Sequence, residues 1–178
     1  MKILALSGSL RAASLNSALL RVFARLAPAD ISIQQFDGMA HLPLFNPDLE
    51  NLNLPPVAAL REAIRDADVL LIASPEYAHG ITGVMKNALD WMVSCEVFVN
   101  KPVVILNASP RATHADASLR EIITMMSGDI IAEASITLAI VGARLDEEGM
   151  LAHPGIAAQV RGALAAMQAH LALAMPSK

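Results

Sequence analysis

Residues 69–91 read VLLIASPEYAHGITGVMKNALDW. The opening Val69-Leu70-Leu71-Ile72-Ala73 has no polar break, which is the pattern of a strand buried on both faces. The run stops at Ser74-Pro75, crosses a segment holding Gly80 and Gly83, and turns helical from Met85 to Trp91. A buried strand that leaves through a proline and re-enters as a helix is one unit of a parallel α/β sheet. The same alternation extends both ways along the chain. Strand candidates lie at 2–6, 31–36, 103–107 and 135–140 besides 69–73, with helix candidates at 16–27, 56–66, 83–94, 116–127 and 156–173. The pattern predicts one doubly wound α/β domain over residues 1–178, with five parallel strands in the order 2-1-3-4-5 and helices on both faces.

The composition excludes several classes of function. Net charge is −4, and there is neither a basic run nor an aromatic ladder, so no nucleic acid partner is expected. The apolar stretch near the C-terminus is broken by Gln168 and His170, short of the ~20 residues a membrane helix needs. Ile3 to Leu6 is too short for a signal-peptide core, which leaves a cytoplasmic expectation. Hydrophobic residues still make up 54% of the chain, more than a monomer of this size requires. The surplus predicts a homodimer or homotetramer, and the broad row Val84, Met85, Ala88, Trp91 and Met92 points the same way. The one cysteine, Cys95, excludes an internal disulfide; it reads as a small core residue or as a redox thiol. The five histidines are scattered, and no metal site is expected.

The longest irregular segment, 37–55, carries Leu42, Leu44 and Phe45. Those side chains suit a site rim, a subunit contact, or a loop folded back on its own sheet. In the predicted strand order, ligands bind where the order reverses, between the first and third strands. The loops to inspect begin at Ser7 and Ser74. The first reads Ser7-Gly8-Ser9-Leu10-Arg11-Ala12-Ala13-Ser14-Leu15-Asn16-Ser17 before an apolar helix. Hydroxyls, a glycine and an arginine at a helix N-terminus are the parts of an anion site. Ordinary capping by Ser14 or Asn16, with Arg11 in solvent, is the alternative. A P-loop would need Gly-Lys-Ser/Thr and a dinucleotide loop G-x-G-x-x-G; neither is present. A terminal phosphate monoester is the anion left. In the second loop, Tyr77 offers an aromatic face and Gly80 and Gly83 allow close approach, features that suit a planar heterocycle. A plain strand-to-helix turn with Tyr77 in the core is the alternative.

Taken together, Gly8-Ser9-Leu10-Arg11 with Ser14 and Asn16, Leu42-Pro43-Leu44-Phe45 with Asp48-Leu49-Glu50, and Pro75-Glu76-Tyr77 through Gly83 to Lys86-Asn87-Ala88-Leu89-Asp90-Trp91 resemble the NADPH-dependent FMN reductase family. That family includes quinone, chromate and azo-dye reductases, and the match covers roughly residues 1–128. The resemblance implies a flavodoxin-like fold, with Ser9, Arg11, Ser14, Asn16 and Ser17 on the FMN phosphate. It places Pro75, Glu76, Tyr77 and Gly80 along the isoalloxazine, largely through backbone atoms. Lys86, Asn87 and Asp90 would support the loop and helix, and Trp91 would be core or interface. Three features depart from the family: Ala78 stands where Asn is frequent, Thr82 replaces a frequent Pro and loosens the turn, and the 107–114 loop lacks the usual glycines. Asn107 and Ser109 are candidates for a third flavin contact beside Pro110 and Arg111. The implied chemistry passes hydride from NADPH or NADH to FMN N5 and then to a small-molecule acceptor: a quinone, azo compound, metal oxyanion or free flavin. No catalytic side chain is called for, because the reaction is the cofactor's. Two rivals share the fold. A flavodoxin-type electron carrier would be more acidic and richer in stacking aromatics than this chain, which is 3% aromatic. A flavin-free assembly or regulatory protein is the other, since fold alone does not fix function.

Overall fold

The structure is a computed structural model that describes residues 1–174. Five parallel strands form one sheet in the order β2-β1-β3-β4-β5: β1 (Lys2–Ser7), β2 (Ser32–Gln35), β3 (Val69–Ala73), β4 (Pro102–Leu106) and β5 (Asp129–Ile130). This is the flavodoxin-like arrangement, and residues 175–178 of the predicted 1–178 span lie outside the described residues. β1 aligns Ile3 with Val69 and Ser7 with Ala73, so β1 and β3 end side by side at the switch point. Alternation along the strands sends side chains to two cores. Ile3, Ala5, Val69 and Leu71 face α1 (Leu15–Leu26) and α7 (Pro154–Ala174), meeting Leu19, Phe23, Val160 and Leu164. Leu4, Leu6, Leu70 and Ile72 face α2 (Pro55–Asp66), α3 (Gly83–Asp90) and α4 (Thr113–Met125), meeting Leu60, Ile64, Leu89 and Leu119. Burial on both faces explains why the strands are unbroken apolar runs.

The fifth strand departs from its predicted position at 135–140. It forms at Asp129–Ile130, is interrupted by a 3-10 turn at Ala132–Ala134, and resumes only as a bridge between Asn107 and Thr137. Ser135 accounts for the break. Its hydroxyl accepts the Ile105 N–H at 3.0 Å, where a strand would offer a carbonyl, and donates to the Ile131 carbonyl at 2.9 Å. Two short helices were not expected, α5 (Ile140–Ala143) and α6 (Glu147–Ala152). Among the described residues, no helix is long and apolar enough to cross a membrane.

The row assigned to an interface also reads differently. Met85, Ala88, Trp91 and Met92 are buried in the chain's own core, and so do not argue for a subunit contact. The covering layer is the 37–55 segment, which folds back onto α3. Asn87 donates to the Pro43 carbonyl at 2.9 Å and accepts the Phe45 N–H at 2.8 Å, while Trp91 Nε1–H donates to the same Pro43 carbonyl. Phe45 meets the Trp91 ring edge-on at 5.1 Å. Lys86 pairs with Asp90 along the outside of α3. The segment leaves Leu44 in solvent.

Candidate active site

The β1 loop packs against the β3 loop because Gly8 has no side chain. A Cβ on Gly8 would lie 2.2 Å from Ser74 Oγ, 2.7 Å from Ser74 Cβ and 3.0 Å from Thr82 Oγ1. Two hydrogen bonds fasten the approach: Gly8 N–H donates to the Ala73 carbonyl at 2.8 Å, and Thr82 Oγ–H donates to the Gly8 carbonyl at 2.7 Å. Thr82 is buried and also caps α3 by accepting the Met85 N–H. Where the family often has proline, the Thr82 hydroxyl thus ties the β1 loop to the start of α3, two bonds that a proline side chain could not make.

Within the β1 loop, Ser14 is the N-cap of α1, its Oγ accepting the Ser17 N–H at 3.3 Å. The capping alternative is thus realised, but it leaves donors over. The backbone N–H groups of Leu15 and Asn16, in the first turn of α1, have no acceptor among the described residues. Ser14 retains its own O–H to donate, as does Ser9, whose oxygen accepts the Arg11 N–H. Ser17 is buried and shares a 2.8 Å hydrogen bond with Ser7, which binds the helix to the end of β1. Arg11 is exposed and has no ion-pair partner among the described residues. Asn16 is 6% exposed, and its Oδ1 is buried without a hydrogen-bond partner among the described residues. An orphaned buried acceptor costs about 1–3 kcal/mol, so a ligand donor there is favoured.

The β3 loop is a tight turn. Tyr77 and Gly80 exchange both backbone hydrogen bonds, at 3.1 and 3.0 Å, and Ala78 and His79 between them both have positive φ, 50° and 59°. That is the geometry of a type I′ turn, which favours Asn or Gly at its centre. Ala78 gains nothing local from this conformation, whereas an Asn would tolerate it better. The turn engages the N–H groups of Tyr77 and Gly80, two residues that the resemblance places along the ring. Those of Glu76, Ala78 and His79 remain without an acceptor among the described residues. Tyr77 is 59% exposed, not packed in the core. The Glu76 carboxylate accepts the Ala115 N–H at 2.8 Å, in the first turn of α4. The His79 and His114 rings stack at 4.3 Å, a second tie between the same two elements.

Asn107 braces the β4 loop in place of the missing glycines. Its Oδ1 accepts the Ser109 N–H at 3.0 Å, and its Nδ2 donates to the Ala112 carbonyl at 3.1 Å. The three loops enclose a cavity of about 340 Å³ lined by Asn16, Pro75, Glu76, Tyr77, Asn107, Ser109 and Arg111, among others. Ser9, Arg11, Ser14, Ser17 and Gly80 stand outside that lining. A hollow of about 500 Å³ along the β2 edge is larger, but it lies between Gln34–Gly38 and Ala63–Ala67, away from the switch point where ligands bind. Thr82, Ser7 and the cap by Glu76 were not singled out as bracing groups. Only Thr82, next to the helix start, had a local signal as an N-cap.

The family profile described as NADPH-dependent FMN reductase matches residues 1–140. The chain belongs to that family. It is 36% identical over 157 residues to an NAD(P)H-dependent FMN reductase of Pseudomonas aeruginosa, covering 85% of this chain and 84% of the relative. It is 34% identical over 113 residues to a quinone reductase of Escherichia coli, covering 61% of this chain and 60% of the relative. Among solved structures, a flavoenzyme NAD(P)H:(acceptor) oxidoreductase from Paracoccus denitrificans superimposes with a TM-score of 0.69, covering 95% of this chain and 98% of that one at 21% identity. This FMN reductase family member is accordingly an oxidoreductase of the NAD(P)H- and FMN-using class. The flavodoxin-like fold is shared with that flavoenzyme.

Proposed function

We propose that the protein moves reducing equivalents from NADPH or NADH to a quinone through FMN held at the switch point. The observation that carries this reading is Asn16. It sits in the first turn of α1, beside the free donors of the β1 loop, and it also lines the cavity that holds Tyr77. Its orphaned amide oxygen belongs to a residue shared by the first turn of α1 and the cavity lining. FMN has a phosphate, a chain of hydroxyls that can donate to such an oxygen, and a flat ring. The residues therefore fit the group.

In this reading Ser9, Arg11 and Ser14, with the Leu15 and Asn16 N–H groups, hold the phosphate, and Ser17 braces them through Ser7. The positive end of α1 favours the same charge. Pro75, Glu76 and Tyr77 line the ring end, the Glu76, Ala78 and His79 N–H groups supply donors to developing negative charge, and Asn107 and Ser109 close the far wall. FMN supplies hydride acceptance and delivery; this chain supplies position, donors and exclusion of water. Quinones are favoured among the candidate acceptors because the E. coli relative is named a quinone reductase. Azo compounds, metal oxyanions and free flavin are the other members of the class. We read residues 1–178 as one domain, and a homodimer or homotetramer through the apolar side chains that do reach solvent, such as Leu44, Leu52 and Val93.

A fluorescence titration with FMN, followed by anaerobic addition of NADPH or NADH and then a quinone, tests the proposal. The expected result is saturable quenching, loss of the bound flavin's visible absorbance, and its return with quinone. Absence of FMN binding would end the reading.

A further inference from the structure

We propose that Arg111 makes the site selective for acceptors that are aromatic acids, planar rings carrying a carboxylate or sulfonate. This inference rests on the FMN reading above. Arg111 is exposed, lines the 340 Å³ cavity, and has no ion-pair partner among the described residues. Of the other eight arginines, Arg21, Arg25, Arg65 and Arg120 make ion pairs among the described residues, while Arg61, Arg144 and Arg161 make none but do not line this cavity. Arg11 is likewise unpaired, but it stands outside the cavity lining.

The backbone that carries Arg111 is held in place. Its N–H donates to Ser109 Oγ at 3.3 Å, the following Ala112 N–H donates to the Ser109 carbonyl, and Asn107 clamps both ends of the loop. Pro110 fixes φ immediately before it. The other titratable groups of the lining are Tyr77 and Glu76. The Glu76 carboxylate accepts the Ala115 N–H, so the positive end of α4 offsets its charge. Asp116, one residue further on, is committed to Arg120. Glu76 is thus held by α4 and not by Arg111, and the guanidinium is the one positive side chain of the lining and makes no ion pair among the described residues, in a protein whose net charge is −4. Tyr77 of the same lining is assigned above to the flavin ring, so with FMN bound the aromatic surface offered to an acceptor would be that of the flavin and Tyr77 together. A ring contact beside a planar cation with paired N–H donors is how an aromatic acid is recognised.

The test compares two naphthoquinones that differ only in a side-chain propanoate or its neutral propanamide, so ring reactivity is matched. In wild type, kcat/KM is expected to favour the acid by about 5- to 10-fold, between the worth of an exposed ion pair and that of a charged hydrogen bond. Arg111→Gln should bring the ratio near one, and Arg111→Lys should retain part of it. Calorimetric binding of 2-naphthoate to the FMN-loaded protein should weaken by the same factor in Arg111→Gln, while the FMN dissociation constant stays unchanged. An acid-to-amide ratio near one in wild type, or one unmoved by Arg111→Gln, overturns the inference and leaves FMN binding intact. A change in the NADPH-to-NADH ratio with no change in the acid-to-amide ratio also overturns it, placing Arg111 on the nicotinamide's extra phosphate. Weakened FMN in Arg111→Gln with an unchanged acid-to-amide ratio overturns it in favour of a cofactor contact. Failure of the wild type to bind FMN overturns the underlying reading, and this inference falls with it.

Discussion

Substitution of Gly8 by alanine tests whether the two switch-point loops work as one unit. The backbone at Gly8 is not in the positive-φ region, so alanine meets no conformational obstacle there. The obstacle is space. The added Cβ would lie 2.2 Å from Ser74 Oγ and 2.7 Å from Ser74 Cβ, where carbon atoms in good contact sit about 3.5–4.0 Å apart. Rotating the Ser74 hydroxyl removes the first clash but not the second, because Cβ is fixed to the backbone. The β1 loop must then retreat, and the hydrogen bond from Thr82 Oγ–H to the Gly8 carbonyl stretches with it. Overpacking costs about 1–3 kcal/mol and the lost hydrogen bond about 0.5–1.5 kcal/mol. Gly8→Ala is therefore expected to lower stability in urea by about 2–4 kcal/mol. It should weaken FMN about 10- to 100-fold, since the donors of the β1 loop would no longer align with the β3 cavity.

The companion variant is Ser74→Gly, which deletes both clashing atoms. If the clash is the cause, the double variant should recover at least ~1 kcal/mol relative to the sum of the single changes, a coupling expected only of residues in contact. Equilibrium urea unfolding of the four proteins gives this cycle directly. Effects that add to within ~0.5 kcal/mol would refute the reasoning, and Gly8 would then matter through something other than its approach to Ser74.

Three further outcomes follow from the same geometry. Arg11→Ala should weaken FMN about 10- to 150-fold while leaving riboflavin nearly unchanged, because only FMN has the phosphate; an unchanged FMN-to-riboflavin ratio of dissociation constants would remove Arg11 from the phosphate site. Ala78→Asn should raise stability in urea by about 0.5–1 kcal/mol, since alanine holds a φ of 50° without local compensation; a loss of stability would show that the turn is not strained. Thr82→Val keeps the shape but removes the α3 cap and the bond to the Gly8 carbonyl, and should cost about 1–3 kcal/mol in thermal or urea unfolding, with FMN affinity falling in parallel.

The strands that build the sheet were legible because burial on both faces forces unbroken apolar runs, and Val69–Ala73 is such a run. The fifth strand was misplaced because a hydroxyl can stand in for a ladder carbonyl, and nothing in the residues around Ser135 announces that its side chain will do so. The row on α3 misled for a different reason. Met85, Trp91 and Met92 do form an unusually broad apolar face, but the 37–55 segment covers part of it through Pro43 and Phe45. A helical period counts apolar positions without saying which part of the chain will cover them. At the site, the residue types of an anion loop were readable, including Ser14 as the cap. Which donors remain free was not, because Tyr77 and Gly80 consume each other's N–H groups in a turn whose centre, Ala-His, is not the usual signal for it.

The departures from the family pattern belong to one physical arrangement. Without glycines after β4, the chain there cannot flatten against a ring by backbone freedom alone; Asn107 instead holds the loop from both ends with its amide. With Thr82 at the entry to α3, the β3 loop is tied to the β1 loop through the Gly8 carbonyl. Glu76 and the stacked His79 and His114 tie the β3 loop to α4. The ties through Asn107, Thr82 and Glu76 are hydrogen bonds, short-range and directional, and the His79–His114 stack adds a ring contact to α4. The cavity walls are held by the protein's own contacts, an arrangement that would leave less ordering to binding. In the proposed reading, exposed Arg11 and Arg111 would then discriminate between charges, Arg11 that of the FMN phosphate and Arg111 that of the acceptor.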